Sequence, residues 1–127
     1  MNAAERFFVA SRAHDVEAAA AELATDVVLL NPASDEAVYG RDAVAATLRG
    51  VDAACDEFRH TRLLVDTAHD AKPLYALVFE ARVGDHHLHG VDLIEIDEST
   101  DRIATFSVMA RPLAALMALG ARMTGPR

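Results

Sequence analysis

Between Glu57 and Arg111 the chain is almost entirely a series of β-compatible runs set apart by short turn signals. The runs are Glu57–Thr67, Leu74–Val83, His86–Asp97 and Arg102–Arg111. Asp70-Ala71-Lys72-Pro73, Gly84-Asp85 and Glu98-Ser99-Thr100-Asp101 separate them. Turn signals between adjacent β-rich runs imply an antiparallel meander. Two of the runs are apolar on both parities. Leu74, Ala76 and Val78 interleave with Tyr75, Leu77, Phe79 and Ala81, and Val91 and Leu93 are matched by Ile94 and Ile96. A sheet apolar on both faces needs both covered. Helices can cover one face. A second copy of the chain is the simplest cover for the other, which predicts a homodimer.

The segments outside the meander supply the helices. Ala3–Ala13 carries Ala4, Phe7, Phe8 and Ser11 at i, i+3, i+4 and i+7, a single buried face. Asp15 can cap a second helix, Val16–Leu23. A short strand, Asp26–Asn31, ends at Pro32, which cannot donate to a ladder. Asp42 is a suitable N-cap for a third helix, Ala43–Ala54, with Val44, Leu48 and Val51 on one face. Pro112 suits the start of a last helix, Leu113–Met123, whose Leu113, Leu116, Met117 and Leu119 predict docking on the sheet. This order predicts one α+β domain over residues 1–127, with helices on one face of a bent antiparallel sheet.

Charge and cysteine usage narrow the partners. The net charge is −8, with Lys72 the single lysine, so an acidic surface argues against nucleic acid and against an anionic membrane. No apolar run reaches the roughly 18–20 residues that span a bilayer. The N-terminal stretch lacks an apolar signal core, and Cys55, the only cysteine, allows no intrachain disulfide. A cytoplasmic protein is the expectation.

The chain resembles the nuclear transport factor 2-like superfamily over nearly its whole length. The resemblance implies a cone-shaped, strongly curved antiparallel sheet with helices packed on its concave face around a pocket. Asp15–Pro32 resembles ketosteroid isomerase without gaps. Asn31 then falls at that enzyme's aspartate base, Phe7 at its oxyanion-hole tyrosine, and Asp92 at its protonated aspartic acid. Asn31 with Tyr39-Gly40-Arg41-Asp42-Ala43-Val44, Thr47-Leu48 and Gly50 resembles limonene epoxide hydrolase. There Asn31 matches the water-positioning asparagine, Leu29 replaces a tyrosine, Val78 and Glu80 fall at an arginine and an aspartate, and Val108 at a second aspartate. Neither full catalytic set is present. The broader SnoaL-like group, named for polyketide cyclases, also fits these motifs.

The candidate polar groups are Asn31, Asp92 and Glu80, with Phe7, Leu29, Tyr39, Val78 and Val108 as ligand contacts. Asn31 could orient a water or a carbonyl, or it could only end its strand. Asp92 in an apolar strand could have a raised pKa and move a proton, or it could be a structural acid bonded to backbone or to Arg62 or Arg82. Glu80 has the same two readings. His87 and His89 share a strand face and could hold a metal with His60 as third ligand, although His86, His87 and His89 read more simply as an exposed hairpin. One histidine acting as a base in the pocket is a further expectation. Cys55 reads as a small buried residue. Met109, Met117 and Met123 could line the pocket or belong to the core. No cofactor and no metal is implied. A small lipophilic molecule is the expected ligand. An isomerase, cyclase or hydrolase is the enzymatic reading, and a non-catalytic binding or dimerisation module is the alternative.

Overall fold

The computed structural model describes residues 1–68 and 73–124. The expected turn at Asp70-Ala71-Lys72 lies outside the described residues. The elements run α1 (Ala3–Arg12), α2 (Val16–Ala20), β1 (Leu23–Leu30), β2 (Ala37–Tyr39), α3 (Arg41–Ala54), β3 (Glu57–Val65), β4 (Leu74–Val83), β5 (His86–Asp97), β6 (Arg102–Arg111) and α4 (Leu113–Thr124). One six-stranded sheet has the order β2-β1-β6-β5-β4-β3. It is curved and unclosed, so the architecture is α+β with helices on the concave side. The meander β3-β4-β5-β6 is antiparallel as expected, but β1 joins β6 in parallel.

Local chemistry explains most boundaries. At the start of α1, Asn2 accepts from the Glu5 backbone N–H at 2.9 Å, and the Glu5 carboxylate accepts from the Asn2 N–H at 3.0 Å, a reciprocal cap. Asp15 caps α2 by accepting from the Ala18 N–H. Helix α2 stops at Ala20, short of the expected Leu23. Leu23 is drawn into the sheet by pairing with Ile103, whose N–H donates to the Glu22 carbonyl at 2.9 Å. The expected cap at Asp42 is also displaced. Gly40 is the N-cap at φ 92°, a backbone conformation favoured by glycine, and α3 begins at Arg41. The Gly40 N–H donates to the Val27 carbonyl, and the Arg41 guanidinium to the Leu23 carbonyl. Tyr39-Gly40-Arg41 therefore fastens α3 onto β1, and Asp42 complements the helix dipole. Strand β2 was not legible in the sequence, because three residues show no periodicity.

The parity ambiguity resolves cleanly. Leu77, Phe79, Ala81 and Val83 of β4 are buried, as are Leu88, Asp92, Ile94 and Ile96 of β5. Ala76, Val78 and Glu80, with Val91 and Leu93, take the outer face. Two core clusters result. One joins α1, α2 and α3 to β1 and β6 around Phe7, Leu23, Val44 and Phe106, and the other seats α4 through Ala115 and Leu119 on Phe79, Val83 and Leu88. Helix α4 docks by that stripe with Leu116, Ala118 and Met123 packed beside it, and Leu113 and Met117 stand exposed.

Two irregularities shape the concave face. A bulge in β3 at Thr61 breaks the register between His60 and Arg62, so His60 keeps the inward parity of Phe58 while Arg62 turns outward. In β5, Gly90 lies opposite Phe79, and a Cβ there would collide with the Phe79 ring and the Met109 carbonyl oxygen. The absent side chain is what lets Phe79 lie across β5. Gly90→Ala is expected to destabilise the fold by roughly 1–3 kcal/mol through overpacking. The urea midpoint should fall with an unchanged slope, and an unchanged midpoint would refute this packing account.

Candidate functional site

A cavity of about 410 Å³ opens at the seam between the two core clusters. Its wall is mostly apolar, with Phe7, Phe58, Phe79 and Phe106 from four different elements and Leu116, Leu119 and Met123 from α4. No lysine or arginine lines it among the described residues. Its polar side chains include Ser11, His14, Asn31, Asp52, His60 and Asp92.

Three of these are linked. The His60 Nε2 lies 2.6 Å from Asp92 Oδ2, and Ser11 Oγ lies 2.6 Å from His60 Nδ1. His60 and Asp92 are buried, at 2% and 4% exposure, and they are the only buried polar or charged residues among those described. The imidazole sits edge-on among Phe7, Phe58 and Phe79, with ring centroids 5.1–6.0 Å away. Arg12 donates to the His60 carbonyl and holds the bulged strand to α1. A buried polar group costs free energy unless it is bonded. Here both ring nitrogens are engaged, and no buried side-chain nitrogen or oxygen among the described residues lacks a partner. With Asp92 Oδ2 taken by His60, Oδ1 is the oxygen left for the cavity that Asp92 lines.

Burial pushes the Asp92 carboxyl above the usual carboxylate range, and the hydrogen bond and charge of His60 oppose that rise without cancelling it. A carboxyl so placed holds a proton more tightly than an exposed one. When ionised it is a stronger base than an ordinary aspartate.

The remaining expected residues divide. Phe7, Leu29, Asn31 and Val108 line the cavity with Asp92. Asn31 Oδ1 accepts from the Ala33 N–H at 2.8 Å, so the loop engages its oxygen and helps fix the side chain at the cavity wall. Glu80 does not reach the site. It points outward from β4, with its side chain 64% exposed and 3.8 Å from His89 Nδ1. Val78 shares that outer parity and is not part of the wall, and Tyr39 stands 72% exposed on the surface. The reason is the period of two in a strand, which gives Leu77 and Phe79 the concave face and excludes their neighbours. His86, His87 and His89 are exposed, whereas His60 is inside, so the three-ligand metal arrangement does not assemble. No metal-like cluster of three acidic, histidine or cysteine side chains occurs among the described residues. Cys55 is half-buried, and burial, then the Asp52 carboxylate, push its thiol up to about 11.

The sequence names His60 as a third metal ligand and expects some one histidine as a pocket base without saying which, and it gives Ser11 only a place on a helix face. The available signals were a lone hydroxyl on the apolar stripe of α1 and a histidine alternating with Phe58. Neither reveals that the two meet, because Ser11 and His60 lie 49 residues apart in sequence.

A SnoaL-like domain model matches residues 4–106, across both helical and sheet portions. The chain belongs to the SnoaL-like family. Solved structures share the fold of this SnoaL-like chain. It is similar to a steroid delta-isomerase from Pseudomonas aeruginosa at 30% identity, covering 95% of this chain and 85% of that one, with a TM-score of 0.83. A bacterial protein with a cystatin-like fold from Silicibacter pomeroyi is 33% identical over 95% of this chain and 82% of its own, with a TM-score of 0.81. An NTF2-like protein of unknown function from Burkholderia xenovorans shares the fold at 17% identity, with coverages of 85% and 79% and a TM-score of 0.67. No protein of curated function matches the SnoaL-like chain.

The raised Asp92 pKa has a thermodynamic consequence. Its folded value lies above the unfolded value near 3.9. Its contribution to stability is therefore fully present below the unfolded value and is lost as pH rises through the folded value. Asp92→Asn cannot ionise, so the stability of the native protein relative to this variant should fall as pH rises from about 4. Urea denaturation at a series of pH values checks this, and a flat difference would contradict it. Carboxyl NMR should also show Asp92 titrating higher still in His60→Ala, since His60 lowers it.

Proposed function

We propose that this SnoaL-like protein binds a neutral, lipophilic carbonyl compound and moves a proton on it, in the manner of an isomerase or cyclase. One observation carries the reading. A buried carboxyl backed by an imidazole at 2.6 Å faces an apolar cavity with no lysine or arginine in its wall among the described residues. Such a wall suits a neutral ligand, and a few convergent polar groups orient it. Asp92 as the carboxylate would take a proton from a carbon next to the carbonyl and return it at another position. His60 would donate its ring N–H to Asp92 and hold the carboxylate in place. The similarity to a steroid delta-isomerase supports this class of chemistry.

A second reading, binding without turnover, is favoured by two residues. Phe7 has no hydroxyl to donate to a developing oxyanion, and the Asn31 amide cannot act as a base near neutrality. Exchange of ketone α-protons in D₂O separates the two readings. With a set of bicyclic ketones, the native protein should accelerate exchange and Asp92→Asn should lose roughly 10²–10⁴-fold while retaining affinity for the matching bicyclic phenols. Phenol binding without any catalysed exchange would select the binding module.

The outer sheet face carries the remaining proposal, a homodimer. Leu30, Leu64 and Met109 are about half exposed, at 47%, 51% and 52%. The strand pairing sets Leu30, Ser107, Leu93, Ala76 and Leu64 in one row across the sheet, with Met109, Val91, Val78 and Arg62 in the row beside it, a mostly aliphatic face with two polar members. An apolar surface of this kind is a self-association face. Leu93→Arg is expected to convert a dimer into a monomer in sedimentation velocity, and a monomeric native protein would sink the idea. No helix among the described residues is long and apolar enough to cross a membrane. We place the protein in the cytoplasm, where the free thiol of Cys55 would stay reduced.

A further inference from the structure

We propose that Ser11 is a second proton port of the site, exchanging protons with Asp92 through the ring of His60. The inference rests on the proton-transfer reading above and assigns a route by which the Asp92 carboxyl is charged and discharged.

Three observations carry it. Ser11 and Asp92 both line the same cavity, and His60 stands buried between them. Both contacts to the imidazole are short, at 2.6 Å each, and they use opposite ring nitrogens. A serine hydroxyl both donates and accepts, whereas a neutral imidazole has one donor and one acceptor nitrogen. The chain therefore has two fully bonded polarities. In one, the Ser11 hydroxyl donates to Nδ1 and the Nε2 proton is donated to the Asp92 carboxylate. In the other, the Asp92 carboxyl donates to Nε2, and the Nδ1 proton is donated to Ser11 Oγ.

The change between them balances. One proton enters from the cavity at Ser11 Oγ, and the serine's own proton passes to Nδ1. The Nε2 proton passes to Asp92 Oδ2. Asp92 becomes a neutral carboxyl, Ser11 and His60 keep their charge, and the ring changes tautomer. Nothing is oxidised or reduced. Run backwards, the sequence regenerates the carboxylate and delivers the proton at Ser11.

Ser11 is not set up as a nucleophile. It lies in the last turn of α1, where backbone carbonyls gather, and the nearby N–H groups of Ala13, His14 and Asp15 are bonded to Val9, Ser11 and Ala10 carbonyls. No pair of donors is left there for an oxyanion. The groups around the ring are otherwise simple. From α1 come Phe7, Ser11 and Arg12, the last bonded to the His60 carbonyl. Strands β3 and β4 present Phe58 and Phe79, β5 presents Asp92, and His14 and Asp52 are the other titratable groups in the cavity wall.

Nitrogen NMR of His60 across pH, in the full-length protein without ligand, tests the port. In the native protein, as Asp92 takes up its proton, the ring proton should move from Nε2 to Nδ1 and the two ¹⁵N shifts should exchange character. Ser11→Ala removes the acceptor for an Nδ1 proton, so the exchange of shifts should be lost, and Ser11→Thr should restore it. Persistence of the change in Ser11→Ala, or its absence from the native protein, would overturn the proposal. Carboxyl titration of Asp92 in the same native sample keeps the parent reading separate. A high Asp92 titration with no tautomer change defeats only the port, and an ordinary one defeats the proton-transfer reading.

Discussion

The short hydrogen bond between His60 and Asp92 is the constraint on which the arrangement of this molecule depends. A carboxyl and an imidazole withdrawn from water must satisfy each other or be lost to the solvent. Every nearby departure from regular structure serves that requirement. The Thr61 bulge sends Arg62 to the outer face rather than in beside His60, and the bare Gly90 leaves room for Phe79 to wall the ring. Helix α1 brings Ser11 to the nitrogen that Asp92 does not use.

Helix α1 must be held in place for that contact to form, and an ionic tether does it. Arg6 bonds Glu22 at 2.8 Å and Asp101 at 2.7 Å, tying α1 to the start of β1 and to the β5–β6 turn. Asp101 also accepts from the Ala3 N–H. These groups are partly exposed, so solvent weakens each ion pair. Their contribution is one of alignment, with Phe7 and Ser11 presented to the sheet at a defined depth. The opposite wall of the cavity comes from α4, whose docking stripe is narrow and separate from the core under α1. The cavity exists because these two cores do not merge.

The same curved sheet thus presents two chemically different faces. Its concave side holds the phenylalanines and the buried pair. Its convex side holds aliphatic residues that are half exposed in a single chain, bordered by Glu80, His89 and Arg82. Single-residue alternation along β4 and β5 separates them. This is why Phe79 and Glu80 are neighbours in sequence but belong to different surfaces.

Sequence alone determined what depends on local chemistry. Strands β4, β5 and β6 match their expected bounds because Gly84-Asp85 and the Glu98–Asp101 turn punctuate them strongly. The Asp15 cap and the apolar stripe of α1 are likewise local, whereas the Asn2 cap shows only in the structure. Asp92 was legible as the odd acid in an apolar strand. Tertiary structure alone decided the rest. Parity in β4, apolar on both faces, could not exclude Val78 and Glu80 until the helices chose one side. Leu23 left its helix for a parallel pairing with Ile103, a partner 80 residues away. The meeting of Ser11, His60 and Asp92 depends on three elements, α1, β3 and β5, converging. Such a contact is set by long-range packing, and no local pattern in the chain records it.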